Sequence, residues 1–480
     1  PQINHCSPVQ EKKKKKKMES PKLHAVMFPW FAFGHISPFI QLSNKLASHG
    51  IKISFLSAPG NVQRISSSLN TCLPHVQIIP IEIPSVDGLP LGLQSTADMT
   101  LDMAELLKTA LDQMQPQIES LLIDLKPQFV FYDFAHYWLP PIATKLGIKS
   151  MFFYVFSALS AAFGMVPARL KETGETPTLD EMKKSPPGFP SKFSKTMGTF
   201  IAQDSLYLYM SFYGNLSAYD RMSACIKGCS ALVVKSCDEL EAPYIEYVKT
   251  QFDKPVLSLG PIVPDPPSGA LEEKWSKWLD SFPIKSVIFC SFGSETFLKD
   301  DQIKELVLGL ESTGLPFFVV LNFVADGKKR LTSALPDGFE ERVQGKGVVH
   351  TGWVQQPHIL AHESIGCFVC HAGLSSITEA LMNDCQMVLL PQKADQFCNA
   401  KLVAEDMKAG VEVIRNDADG YFRKEDLCSA VKTVMVEVDK EPGKTIRGNT
   451  EKWRKFMLDK EIHERFIENF VKDLKEMVLE

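Results

Sequence analysis

Beyond Met18, short apolar runs rich in β-branched and aromatic residues alternate with stretches whose apolar positions recur at helical spacing. That alternation predicts repeated βα units around a parallel sheet. Strands are predicted over residues 24–28, 51–57, 76–81, 129–132, 151–156 and 231–235, with helices over 36–48 and around 98–125. Gly50 supplies the stop for the first helix.

Residues 259–270, LGPIVPDPPSGA, gather proline and glycine where neither a helix nor a central strand can continue, and predict a linker. A second set of βα units follows. Its strands are predicted over 286–290, 316–321, 347–350, 366–370, 387–390 and 411–414, with helices such as 302–312 and 394–407. Residues 452–479 keep helical spacing but have no strand after them, so they are expected to pack back across the first half. The expected organisation is a tail or non-native leader over 1–17, an N-terminal domain over 18–258, the linker 259–270, a second domain over 271–455 and a C-terminal helix over 456–480. Two facing α/β halves place ligands outside the carboxyl ends of their strands, so the loops after strands are where chemistry is expected.

Composition narrows the class. With 480 residues, 45% hydrophobic and 23% charged, the chain has material for two cores and is neither disordered nor fibrous. Its formal charge of −5 includes the run Lys12–Lys17, so the rest is more acidic still and no nucleic-acid partner is expected. That run is read first as a solvated tail, with Met18 as the expected start; a nuclear signal or a membrane-surface patch are the other readings. The longest apolar run, 151–167, is short of the ~20 residues a spanning helix needs. No secretory signal is evident and the eleven cysteines lack paired spacing, so the expected location is the cytoplasm.

Two polar residues stand where apolar strands end. His35 follows the first strand and, with an ordinary pKa of about 6.5, suits general base work; Gly34 before it is expected to allow a tight turn, and capping the next helix is the competing role for His35. Asp133 follows the strand at 129–132 and can orient an imidazole and stabilise its protonated form, or cap a helix starting near Tyr137. No Gly-x-Ser-x-Gly elbow is present, so covalent serine chemistry is not expected. In the second half, Gly293-Ser294 and His371-Ala-Gly373-Leu-Ser375-Ser376 each join a strand to a helix, where backbone N–H groups and hydroxyls suit an anionic diphosphate. Neither is a P-loop. Cys367-Phe-Val-Cys370-His371 has the spacing of a haem attachment but lies inside a strand pattern. Cys225 and Cys229 lack a zinc spacing, and Asp417-Ala-Asp419 reads as a surface turn. No metal is expected.

From Trp353 to about Glu405 the chain resembles the sugar-nucleotide box of plant family 1 UDP-dependent glycosyltransferases, with spacing kept without gaps from Trp353-Val354-Gln-Gln356 through His371 and Glu379 to Asp395-Gln396. Residues 28–38, Asp133 with Trp138, 236–241, Gly260-Pro261 and 292–294 resemble the same family. The resemblance implies a GT-B fold: two facing Rossmann-like α/β domains with parallel sheets and a cleft between them. It implies uracil stacking by Trp353, with Val354 beside it, base or ribose contact by Gln356, and ribose binding by Glu379. Ser294, His371, Gly373, Ser375 and Ser376 would hold the diphosphate, and Asp395 and Gln396 the sugar. His35 assisted by Asp133 would deprotonate an acceptor hydroxyl for inverting transfer, with no cofactor and no metal. Departures are Leu374 and Ser375, where the family commonly has Trp and Asn; the smaller Leu374 is expected to alter donor preference.

The opening 28–35 and the Trp-Val-Gln-Gln-Pro form resemble the branch that extends sugars on flavonoid or anthocyanin glycosides. The expected partners are a UDP-sugar, foremost UDP-glucose, and a small-molecule acceptor, for a monomeric enzyme. Terpenoid, sterol or phenolic acceptors, or a catalytically idle UDP-sugar binder, are the alternatives. Acceptor selectivity is expected around 89–93, 139–141 and 153–165.

Overall fold

The computed structural model describes residues 23–96, 99–170, 174–190, 197–323 and 327–479. The expected tail at 1–17 and the start of the second predicted helix at Asp98 lie outside the described residues.

The first half builds one sheet from β1 (His24–Phe28), β2 (Lys52–Ser57), β3 (Val76–Pro80), β4 (Phe129–Tyr132), β5 (Lys149–Tyr154), β6 (Ala231–Val234) and β7 (Val256–Ser258), in the order β3-β2-β1-β4-β5-β6-β7. The second uses β8 (Val287–Ser291), β9 (Phe317–Leu321), β10 (Gly347–Thr351), β11 (Ile365–Cys370), β12 (Gln386–Leu389) and β13 (Gly410–Glu412), in the order β10-β9-β8-β11-β12-β13. All pairings are parallel. Both faces of each sheet are therefore covered, which is why the central strands read as unbroken apolar runs rather than alternating ones.

Strand order reverses between β1 and β4 in the first sheet and between β8 and β11 in the second. At the first switch Phe28 pairs with Tyr132, and at the second Cys370 pairs with Ser291, so each pair of strands ends level. Crevices open where neighbouring crossovers leave to opposite sides. His35 and Asp133 follow the strands of one switch, and Ser294 and His371 follow those of the other.

Four elements differ from the pattern reading. The predicted helix at 98–125 is two helices, Leu101–Gln113 and Gln115–Leu125, because Pro116 sits at the start of the second, where a missing N–H costs nothing. The predicted helix at 394–407 is a helix Gln396–Lys401 running into a π-helical turn Leu402–Asp406. The predicted terminal helix is Gly443–Leu458 and Lys460–Leu479, parted at Asp459, which leaves the helical region (ψ 96°). β7, three residues long at the sheet edge, carries too short a pattern to read.

The last helix buries Ile467, Phe470, Val471 and Leu474 in the cluster that holds Met27, Phe129 and Phe131 of the first sheet, with Phe470 6.2 Å from Phe131 between ring centroids. Gly260, at φ +70°, passes so close to Phe466 that any Cβ would overlap the ring. Among the described residues no helix is long and apolar enough to cross a membrane.

Candidate active site in the cleft

The helix after β1 spans Phe33–Ser48, three residues earlier than its pattern, so Gly34 and His35 lie in its first turn rather than in a preceding loop. Gly34 needs no special backbone angle there; it is exposed and leaves open space at the mouth. His35 Nδ1 stands 2.8 Å from Asp133 Oδ2, with side-chain exposures of 14% and 1%. The carboxylate also accepts from Trp30 N (3.2 Å, Oδ2) and Phe134 N (2.7 Å, Oδ1). Those bonds replace helix capping, since the helix Leu139–Lys145 starts beyond its reach with Trp138 as its cap residue. Burial alone pushes the imidazole down, but Asp133 outweighs it and holds His35 above its ordinary value. Burial pushes Asp133 up, and His35 with the Phe134 N–H brings it below the usual carboxylate range. With Nδ1–H committed to the carboxylate, Nε2 is the atom that can take a proton. Phe134 and Phe156 wall the ring at 5.5 and 5.1 Å between centroids.

Of the stretches expected to select an acceptor, 153–165 brings Phe156 to His35, whereas Phe153 is fully buried in the core on the other face of β5 and Leu139 is fully buried. Period-two alternation along β5 separates Phe153 from the site side.

On the opposite wall, Trp353 is 72% exposed while Val354 beside it is buried. Gln356 Nε2 donates to Glu379 Oε2 at 2.7 Å, which opposes the upward push of burial on that carboxyl. The His371 ring is clamped between two glycines: a Cβ on Gly293 would come within 3.1 Å of it and one on Gly373 within 2.7 Å. Burial, with Lys393 nearby, pushes His371 down to about 4, so it is neutral at pH 7, and its Nδ1 is buried without a hydrogen-bond partner. The helix Leu374–Met382 follows, with Ser375 and the buried Ser376 in its first turn; Ser294, after β8, is exposed. Asn399 donates to Asp395 Oδ2 (2.8 Å) and to Ala372 O (3.0 Å), tying two loops together. Gln396 Oε1 accepts from Gln392 N (2.9 Å) and Lys393 N (3.1 Å), which fixes the loop that presents Asp395.

The walls touch. Thr96 donates to Glu295 at 2.6 Å, Ala394 N to Asp204 at 2.8 Å, and Tyr244 to Asp406 at 2.7 Å. Asp417 does more than form a surface turn, since it accepts from Thr199 Oγ1 at 2.8 Å and so bridges the halves. Asp395 and Glu295 both act on the charge of His35 from across the cleft.

Residues 266–442 match the family described as UDP-glucoronosyl and UDP-glucosyl transferase. Over 457 residues the chain is 57% identical to an anthocyanidin-3-O-glucoside rhamnosyltransferase of Petunia hybrida, covering 95% of this chain and 96% of that one. The chain belongs to the plant UDP-dependent glycosyltransferases. An anthocyanidin 3-O-glucoside 2''-O-glucosyltransferase of Ipomoea nil is 41% identical over 455 residues, 95% of this glycosyltransferase and 98% of that one. Among solved structures, a UDP-glucosyltransferase of Polygonum tinctorium capable of glucosylating indoxyl shares the fold, with a TM-score of 0.75 at 23% identity over 95% of this chain and 99% of that one.

The glycosyltransferase fold thus places His35 and Asp133 at the first switch point and Ser294, His371, Gly373 and Ser375 at the second, with Glu379 further along the helix Leu374–Met382 bonded to Gln356 after β10, Asp395 and Gln396 after β12, and Trp353 exposed after β10. Leu374 is set apart. With Ile377, Thr378 and Leu381 it faces a cavity of ≈ 30 Å³ between the halves, lined also by Lys235, Leu240 and Pro261, on the opposite face of the helix from Glu379. An effect of Leu374 on donor preference would therefore pass through the packing of this cavity. Sequence reading missed Asn399, Trp30, Phe134, Glu295 and Lys235. Asn399 was within reach, since it lies four residues past Asp395 on one helix face; Trp30, Phe134 and Glu295 adjoin residues that were read but carry no pattern of their own, and Lys235 meets Ser375 only through tertiary structure.

Proposed function

We propose that this glycosyltransferase moves a sugar from a UDP-sugar onto a hydroxyl of a sugar already carried by a flavonoid, an anthocyanidin 3-O-glucoside or a near analogue, with inversion. The observation that carries the mechanism is the His35–Asp133 pair at 2.8 Å, with Asp395 across the cleft near enough to act on the charge of His35. His35 Nε2 takes the proton of the acceptor hydroxyl, Asp133 stabilises the imidazolium, and the oxygen attacks the anomeric carbon as UDP leaves. The N-terminus of the helix Leu374–Met382 faces the charge that develops on the departing phosphate. Trp353 stacks on uracil, Gln356 and Glu379 hold base and ribose, Ser294, Gly373, Ser375 and Ser376 line the diphosphate, and Asp395 with Gln396 meets the transferred sugar.

The Petunia relative favours a glycoside acceptor and UDP-rhamnose, while the Asp395-Gln396 ending and the Ipomoea relative favour UDP-glucose. We place UDP-rhamnose first on the higher identity. The enzyme acts as a monomer without metal, in the cytoplasm; unpaired cysteines throughout the described residues accord with a reducing compartment. The test is a mass-spectrometric screen of UDP-rhamnose, UDP-glucose, UDP-xylose and UDP-arabinose against flavonoid aglycones, flavonoid monoglucosides and terpenoid glycosides, with and without EDTA. A sugar-sized mass gain on flavonoid glycosides alone, unaffected by EDTA, is expected; gain on aglycones alone overturns the acceptor assignment.

A further inference from the structure

Lys235 stands one residue past β6, at the carboxyl end of a strand in the first half, and is 7% exposed. Its side chain crosses to the second half, where the ammonium meets Ser375 Oγ at 3.4 Å. An ammonium has three N–H donors; a single long bond to a neutral hydroxyl leaves this one poorly satisfied for its burial. Holding a buried cation in that state is costly unless an anion completes the site. Glu379 and Asp395 draw on Lys235 from a distance, yet burial still pushes it down to about 8.

Other positive charge at the same place is limited. His371, just before the helix Leu374–Met382, is held neutral by burial with Lys393 nearby, and the Lys393 ammonium already donates to Glu295 O at 3.0 Å. A helix N-terminus contributes only about half a charge, whereas a diphosphate brings two and gains more as its ester bond breaks. Ser375, the residue Lys235 touches, sits in that first turn. We propose that Lys235 is a donor-binding residue supplied by the acceptor-side half, its ammonium donating to the diphosphate of the UDP-sugar beside Ser375. The inference rests on the UDP-sugar function proposed above and deepens it. Because Lys235 comes from the opposite half, donor binding would also tie the two halves together, so the cleft is complete for transfer only with both sheets in register.

The experiment is calorimetric binding of UDP and of uridine to the full chain, wild type, Lys235→Met and Lys235→Arg. Uridine engages Trp353, Gln356 and Glu379 but not the diphosphate subsite, and so reports folding and base binding alone. Lys235→Met is expected to weaken UDP binding about ten- to hundredfold, the loss of one charge-assisted hydrogen bond, with uridine unchanged. Lys235→Arg should recover part of that loss. Wild-type UDP affinity should decline as the pH is raised past about 8, a decline absent from Lys235→Met. Unchanged UDP affinity in Lys235→Met, or equal loss of UDP and uridine, overturns the assignment while leaving the transferase reading intact. Failure of the wild type to bind UDP at all overturns the transferase reading itself.

Discussion

The two walls of the cleft are built in opposite ways. The donor wall takes nearly all its residues from one stretch, Trp353 to Gln396, which runs from the end of β10 through β11 and β12 into the helix after β12. The acceptor wall gathers Trp30 and His35 after β1, Asp133 and Phe134 after β4, and Phe156 after β5, with Asp133 98 positions from His35. A contiguous wall is positioned by local hydrogen bonds such as Gln356 to Glu379 and Asn399 to Asp395. A dispersed wall depends on the sheet: β1 and β4 must pair with Phe28 opposite Tyr132 before the imidazole and carboxylate can meet. Chemistry is thus placed where the whole first half must be folded, whereas base and ribose recognition rests on one segment and only the diphosphate, through Ser294 and the proposed Lys235, draws on residues outside it.

The sharpest way to separate the walls is to disable the dispersed one. His35→Ala should lower kcat by about 10²- to 10⁴-fold, the usual worth of a positioned base, with UDP affinity intact by calorimetry. Asp133→Asn should also be severe and adds a pH signature. A base must be unprotonated to act, so wild-type kcat/KM falls as pH drops through the raised His35 value. Without the carboxylate, burial is the larger remaining influence and pulls that value down, so the acid limb of the profile should move to lower pH in Asp133→Asn. A limb that stays put would mean Asp133 does not set the proton affinity of His35.

On the contiguous wall, Trp353→Ala should weaken UDP binding by about 1–3 kcal/mol, the range for an aromatic stacked on a base. Because the indole is 72% exposed, the thermal midpoint should not move. A falling midpoint with unchanged affinity would assign Trp353 a packing role instead. Asn399→Ala comes next. It removes one buried and one part-buried bond and should cost about 1–3 kcal/mol of stability, with a smaller loss of kcat/KM as Asp395 loses its orientation. Stability loss without any kinetic effect would confine Asn399 to holding the Ala372 carbonyl.

The contrast between walls also decides what could be read from the chain. The strands at 24–28 and 129–132 are observed over those same residues, because they are buried on both faces and stop sharply, one at Pro29 and the other at Asp133. Asp133 was visible as a polar residue directly after its strand, His35 as the polar residue in the stretch between the first strand and the helix pattern, and the donor wall as a spaced motif. Phe134 and Trp30 were not, since an aromatic beside a strand looks the same in a core as in a site. The bridges Thr96–Glu295 and Tyr244–Asp406 join residues 199 and 162 apart with no periodicity to mark them. The break at Asp459 has neither proline nor glycine to announce it.

The smallest effect belongs to Leu374→Trp, which tests whether motif position or side-chain direction governs donor choice. By position alone, residue 374 lies between Gly373 and Ser375 and a swap there should re-rank the UDP-sugars. By direction it should not, because Leu374, Ile377, Thr378 and Leu381 recur at the spacing of one helix face, and that face looks into the ≈ 30 Å³ cavity beside Leu240 and Pro261. An indole there would fill the cavity and press on the interface, with a stability change of about 1–3 kcal/mol in the direction the repacking dictates. The ratio of kcat/KM between UDP-rhamnose and UDP-glucose should hold within about twofold, because Leu374 faces the cavity between the halves and not the side of the helix that carries Glu379. A shifted ratio would show that packing between the halves is transmitted to the sugar subsite, and the donor wall would then depend on the first sheet as heavily as the dyad does.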